Sequence, residues 1–363
     1  MTTTVNNEHK NIKVPNLRFK EFQGEWEKCT LSEVCKFHNG RAYKQSELLA
    51  AGKYRILRVG NFFTNDSWYY SNLELEDNKY AQDGDLLYAW SASFGPRFWK
   101  EEKVIYHYHI WKIDSFKNVD KEFMYHFLDL DSSKIKNEVQ GGTMVHITKG
   151  NMEKRTISYP SINEQKKIAK LLSLLDERIS TQNKIIDKLQ SLIKGIADKL
   201  FQTARTTKPL LEFAPNITSG TDKSGSGTIP LYGSTGIIGT VKNASQKGNI
   251  VLVARVGTIG TVQYVNEPCG VSDNALIVEA GEMTKYIYHF LKTYNFTRIT
   301  SGTTQPLITA SSLKKAAIPT YDIESQTRIV LCLNGLEKKL DMAKQYLSNI
   351  AVMKQYLLRQ MFI

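Results

Sequence analysis

The stretch EQKKIAKLLSLLDERISTQNKIIDKLQSLIKGIADKLF, residues 164–201, decides how the rest of the chain is organised. Its apolar positions fall at Ile168, Leu172, Leu175, Ile179, Ile186, Leu189, Ile193, Ile196 and Leu200, with one polar member, Gln182. Steps of four and three residues alternate without a break, the pattern of a coiled-coil seam rather than of a helix lying on a core. No proline interrupts the run and its only glycine is Gly195. One helix of about 38 residues, roughly 57 Å long, is therefore predicted. A helix of that length in water needs a partner along its seam.

The same chain supplies one. Adding 161 to each seam number gives Ile329, Leu333, Leu336, Leu340, Ala343, Leu347, Ile350, Lys354, Leu357 and Met361, eight of them large and apolar. Lys354 can add the aliphatic part of its side chain. The offset holds without a gap from Thr148 (Thr309) to Phe201 (Phe362), with Gln165 matched by Gln326. That is an internal repeat. The chain reads as two tandem half-copies, each ending in a long helix.

Bulk properties bound the rest. At 363 residues there is room for two globular domains besides the helices. Hydrophobic content of 41% and a mean hydropathy of −0.35 are ordinary for a water-soluble protein. Lys+Arg 48 against Asp+Glu 36 leaves +12, a surplus that suits a polyanion such as nucleic acid. The four cysteines (Cys29, Cys35, Cys269, Cys332) show no CxxC spacing, so unlinked thiols in a reducing compartment are expected. Residues 1–13 lack the apolar core of a signal peptide and no 18-residue apolar run exists, so a cytoplasmic protein without a membrane segment is expected.

Between the helices the pattern turns short and β-like. Residues 1–27 read as a flexible N-terminal extension that becomes ordered near Pro15-Asn16-Leu17-Arg18-Phe19. Strand-like runs follow at Tyr54–Val59, Asp85–Trp90 and Val104–Ile113, with a helical piece at about Lys121–Asp131. The second half repeats this at lower identity: Gly248-Asn249-Ile250-Val251-Leu252 stands against Gly84-Asp85-Leu86-Leu87-Tyr88, and Tyr288-His289-Phe290-Leu291 against Tyr125-His126-Phe127-Leu128. The intervening loops differ strongly, as in two readers of different targets built on one plan.

The segments HITKGNMEKRTISYPSINEQKKIAKLLSLLDERI (146–179) and LITASSLKKAAIPTYDIESQTRIVLCLNGLEKKL (307–340) resemble the ends of the two target-recognition domains in specificity subunits of Type I restriction-modification systems. VPNLRFKEFQGEWE (14–27), IPLYGSTGIIGTV (229–241) and GNIVLVARVGTIGTV (248–262) are similar to other phrases of that family. The resemblance implies an α+β chain: target-recognition domains at 28–160 and 207–320, a central spacer helix at 161–206 and a second at 321–363. It also implies that the two helices form an antiparallel coiled coil with the domains related by a pseudo-twofold, each over one half of a split duplex site. The helix length would then set the unread gap between half-sites.

Reading bases in the major groove takes forked donors, amides and hydroxyls on loops, with Lys and Arg on phosphates. In the first domain the candidates are Arg41, Tyr43, Lys44, Arg58, Asn61, Trp90, Ser91, Ser93, Arg97, His107, His109, Thr143 and His146, the last two after the turn Gly141-Gly142. In the second they are Ser219, Thr221, Lys223, Ser234, Thr235, Arg255, Thr258, Asp273, Asn274, Thr303, Thr304 and Gln305. Each has a plainer alternative. Trp90 and Tyr88 read as core or stacking support, and the glycines of 233–236 and 257–260 as turn formers.

Enzyme motifs are missing from the sequence. SGSGTIPLYGSTG (224–236) lacks the Gly-Lys-Ser/Thr of a phosphate loop, and no helix pattern follows it. His107 and His109 stand two apart without further metal-ligand spacing, Lys100-Glu101-Glu102-Lys103 reads as a solvated charge run, and no Asn/Asp-Pro-Pro-aromatic motif is present. A non-catalytic chain is expected, with no cofactor or metal of its own. The resemblance implies two methyltransferase subunits carrying S-adenosylmethionine, and optional restriction/translocase subunits using ATP and Mg. Lys166, Lys167, Lys170, Lys184, Lys188 and Lys194, with the connectors near Pro160 and Pro319, are candidate docking surfaces. Two rival readings differ in class. One is a coiled-coil scaffold whose basic domains bind another polyanion such as RNA, and the other is a self-sufficient nuclease or methylase.

Overall fold

The computed structural model describes residues 14–63, 65–91, 94–138, 147–302 and 306–363. The seam pattern becomes two long helices, Ile162–Gln202 of 41 residues and Ile323–Met361 of 39. The matched glutamines explain where each begins. Gln165 Nε2 donates to the carbonyls of Pro160 (2.7 Å) and Asn118 (2.9 Å), and its Oε1 accepts from Asp120 N at 2.7 Å. Gln326 Nε2 donates to Tyr321 O at 2.7 Å, the repeat equivalent of the Pro160 contact. A side-chain amide thus satisfies backbone groups that the incoming connector would leave unpaired.

The chain divides into two compact units, one of residues 1–181 with 347–363 and one of residues 182–346, so each takes part of both long helices. In the first unit Ile168, Leu172 and Leu175, from the start of the first helix, share a core with Ile350, Leu358 and Met361 from the end of the second. In the second unit Ala197 and Phe201 share a core with Ile329 and Leu333. Start meets end in both, so the helices run antiparallel. The polar seam position, Gln182, is buried and donates to Ala343 O at 3.0 Å, its own partner in the repeat.

Each unit carries a β-rich domain with the same strand order. The first has an antiparallel sheet of Lys36–Asn39, Ile110–Asp114, Leu86–Ala89 and Gly95–Phe98, in that order. Its counterpart runs Thr218–Ser219, Ala275–Val278, Ile250–Ala254, Val262–Val265. A second sheet in the first domain orders Tyr69–Ser71, Tyr54–Leu57, Val104–Tyr106 and Tyr80–Ala81, with 54–57 parallel to 104–106. Ile237–Val241, Ile229–Tyr232 and Gly270–Val271 repeat it, with 229–232 parallel to 270–271. The central strand of the first sheet is buried on both faces: Leu86 and Tyr88 join the core under the helices, while Leu87 and Ala89 join the core between the sheets. Val251 and Val253 against Ile250 and Leu252 do the same.

Several expectations need correction. The run Val104–Ile113 is two strands broken at His107–His109, because its halves pair in different sheets. The run Tyr54–Val59 ends at Leu57, and a short helix, Val59–Phe63, follows. The helix at Lys121 continues to Glu138. Aligning Gly248 with Gly84 places the strands one residue out of register: the faces they bury match Leu86 with Val251, and a one-residue slip would exchange the two faces. Asn249, at φ 54, is the extra turn residue. Within the N-terminal extension, in the stretch Pro15–Phe19, Leu17 N donates to Gln360 O at 2.9 Å and Arg18 forks onto buried Glu164 at 2.8 and 2.7 Å.

Candidate nucleic-acid interface

The parallel strands 54–57 and 104–106 end side by side, where His107 N donates to Leu57 O at 2.9 Å. Arg58 and His107 therefore leave the sheet together. Gly40 brings in a third loop, and a Cβ there would lie 2.3 Å from His107 O, so only glycine admits this approach. A fourth joins through Trp90 N, which donates to His109 O at 3.1 Å. Arg58, Val59, Gly60, Asn61, Asn65, His107 and His109 line a cavity of about 220 Å³ at this edge.

The second domain builds the same edge. Ser272 N donates to Tyr232 O at 2.9 Å and Arg255 N to Asn274 O at 3.0 Å, while a Cβ on Gly220 would lie 2.2 Å from Val271 O. Its candidates Ser219, Thr221, Lys223, Ser234, Thr235, Arg255, Thr258, Asp273 and Asn274 sit on or beside these four converging loops. Arg58 is thus replaced by Gly233, His107 and His109 by Ser272 and Asn274, and Trp90 by Arg255. The scaffold repeats and the chemistry at its edge does not.

Within the first set the side chains divide by role. Arg58 is exposed, its guanidinium 5.3 Å from the Tyr69 ring, and Lys44 is exposed. Arg41 is held by both oxygens of Glu47 at 3.0 and 2.7 Å, which keeps that carboxyl below its ordinary pKa. Tyr43 is half-buried and its hydroxyl donates to Tyr106 O at 3.4 Å. Asn61 Nδ2 donates to the carbonyls of Asn65 (2.9 Å) and Ser67 (2.7 Å), which fixes the loop. Trp90 stacks on Trp111 with centroids 5.7 Å apart and donates to Tyr108 O at 2.8 Å, and Ser91 is buried, so both act as support. Arg97 donates to Phe62 O and lies over the Phe62 and Phe63 rings, bracing the short helix. Burial, with His109 and Arg58 nearby, pushes His107 down to about 4, so it is a neutral donor and acceptor.

In the second set Thr221, Lys223, Thr235, Thr258, Asp273 and Asn274 are exposed, whereas Ser219 is paired in a strand with Leu276. Arg255 Nε is shut off from solvent with no acceptor among the described residues. Ser93, Thr143, His146, Thr303, Thr304 and Gln305, with the Gly141-Gly142 turn, lie outside the described residues. Asn65, Tyr69 and Tyr108 at the first edge, and exposed Ile237 and Ile238 at the second, were not singled out from sequence. Tyr108 was legible as the residue between two candidate histidines; the others lie beyond a helix or hairpin that the pattern did not reveal. Among the described residues no group of three or more His, Cys, Asp or Glu gathers to hold a metal ion, and no helix is long and apolar enough to cross a membrane.

Comparison with known proteins gives a consistent picture. A family model described as the Type I restriction modification DNA specificity domain matches residues 23–191 and 207–351. The chain is 31% identical over 122 residues to the MjaVIII specificity subunit of Methanocaldococcus jannaschii, covering 33% of this chain and 29% of that one. It is 22% identical over 184 residues to the EcoBI specificity subunit of Escherichia coli, covering 50% and 39%. The matches thus span well under half the length of these relatives. An S subunit structure from M. genitalium superposes with a TM-score of 0.67 at 19% identity, over 96% of this chain and 99% of that one. A chain from a study of type I R-M complex assembly superposes at 0.55 with 14% identity, over 92% and 96%.

Proposed function

This chain belongs to the Type I restriction-modification DNA specificity family, and from that premise we propose that it recognises a bipartite duplex DNA site, one half per recognition domain. The observation that carries this is the repeated edge: four loops converge identically in both domains, yet present Arg58, His107 and His109 in one and Thr235, Asp273 and Asn274 in the other. Two copies of one edge with different side chains suit two different base sequences. Lys44 and Lys223 flank the edges as phosphate contacts, and the net charge of +12 supplies sequence-independent attraction.

The chain itself selects the site and supplies no chemistry. Two methyltransferase subunits carrying S-adenosylmethionine would dock on it and methylate an adenine in each half-site after flipping it out. Optional restriction/translocase subunits would bring ATP and Mg. The long helices support such docking: Leu174, Val352, Met353 and Tyr356 are exposed in the first unit, and Ile185, Leu192, Leu331, Met342 and Tyr346 in the second. Lys166, Lys167, Lys170, Lys184, Lys188 and Lys194 are exposed beside them, while Pro160 and Pro319 are buried and offer no surface.

Mapping of modified bases in host DNA tests this reading, with the gene intact and deleted and the methyltransferase retained. A split motif whose adenine methylation disappears on deletion is expected. An unchanged pattern in a strain with active methyltransferase would refute it. Steeply salt-dependent RNA binding by the purified chain, without sequence preference, would then favour the scaffold reading.

A further inference from the structure

In both units the recognition domain docks its helix on the long helices through an equivalent histidine. His126 Nε2 lies 3.1 Å from Ser173 Oγ, with Nδ1 3.9 Å from Asp176. His289 Nε2 lies 2.9 Å from Asn334 Oδ1, with Nδ1 3.8 Å from Glu337. Ser173 and Asp176 plus 161 are Asn334 and Glu337, so the two joints superimpose in the repeat.

Their charges do not. Three residues after His126 the domain helix carries Asp129, whereas three after His289 it carries Lys292. The opposing long helix compensates. In the first unit the buried Lys354 reaches Asp129 Oδ2 at 3.0 Å and Asp176 Oδ1 at 2.6 Å. Lys354 is a seam position whose repeat equivalent is apolar Ile193. In the second unit Lys292 itself supplies the cation, 2.5 Å from Glu337 Oε1, with the Tyr288 hydroxyl 3.5 Å away. Each joint therefore holds one cation against its carboxylates, but the cation comes from the spacer in one and from the domain in the other.

We propose that these joints are addresses: the first slot accepts a recognition domain whose docking helix bears an acid at position 129, and the second accepts one bearing a base at 292. A domain placed in the wrong slot meets a mismatch. The second domain in the first slot would set Lys292 against Lys354, and the first in the second would set Asp129 against Glu337 with no cation. A partly buried charge without its counter-ion is more costly than the pair is favourable, which makes the arrangement selective. Recognition domains then exchange between chains slot for slot, and the order of the two half-sites is retained.

The test needs no DNA and so stands or falls separately from the proposed function. The thermal midpoint of the full-length chain is measured for Asp129→Lys, for Lys354→Ile and for both together. Each single change is expected to lower the midpoint by about 5 °C or more. The double change rebuilds the second unit's joint, with a lysine at 129 facing Asp176, and is expected to recover most of the loss. If a single variant does not fold, folding of the double variant alone decides. A chain carrying residues 207–320 in place of 28–160 is the stringent version, expected to be stable only with Lys354→Ile. A double variant as impaired as the sum of the singles, or a transplanted domain indifferent to residue 354, overturns the proposal.

Discussion

His126 and His107 sit in the folded chain as neutral rings, pushed by burial to about 3 and about 4. The unfolded chain binds their protons near pH 6.5, so folding excludes protons that the unfolded state accepts. Their effect is absent above pH 6.5 and grows as pH falls from there toward the folded values, at up to about 1.4 kcal/mol per pH unit for each ring. Denaturant unfolding at pH 7 and pH 5 should show the loss, and His126→Gln should shrink the difference while costing stability at both. Equal pH dependence in the variant would show that the ring does not titrate as described. At the edge, Arg58→Ala should cost about 1–3 kcal/mol on the cognate site and relax one base position. Lys44→Ala should weaken all sequences alike and reduce the salt slope by about one. Binding titrations on cognate and scrambled duplexes separate the two. Gly40→Ala forces a methyl against the Tyr106 and His107 carbonyls and should cost about 1–3 kcal/mol, read as a lowered unfolding midpoint.

Leu172 and Leu333 are buried repeat equivalents, one in each unit's core. Either residue changed to alanine should cost about 2–5 kcal/mol. Hydrogen exchange should then lose protection chiefly in the unit that holds the changed residue. Gln182→Leu should leave the midpoint unchanged or raised, since it exchanges one hydrogen bond to Ala343 O for apolar contact, at the expense of register. The helices were legible because little besides a paired helix sustains a 4-3 spacing over ten seam positions, and the 161-residue offset named the partner. The strands were legible only as apolar runs. Val104–Tyr106 and Ile110–Trp111 are both buried, in different sheets, so the apolar residues on either side of His107–His109 read as one strand although the chain turns there. The short helix at Val59–Phe63 has no cap signal and was hidden behind a strand-like start. The candidate residues could be found by type and loop position. Their sorting into exposed side chains such as Arg58 and braces such as Arg97 and Trp90 depends on tertiary contacts that no local pattern encodes.

At the scale of the whole chain, the proposed division of labour predicts the result of exchanging residues 28–160 for the first domain of another family member. One half of the methylated motif should change and the other should stay, as modification mapping would show. A change in both halves would mean that the domains do not read independently. The first unit has a further property, because it is closed by residues 347–363. Ile350, Leu358, Met361 and Phe362 complete the core around Leu172 and Phe123, and Gln360 O receives Leu17 N. During synthesis, that unit waits for the last turns of the second helix to leave the ribosome, roughly 190 to 200 residues after its own recognition domain has emerged. Nascent chains halted before residue 347 should therefore be cut by protease across the first unit. Release of the tail should convert that same region to a resistant form.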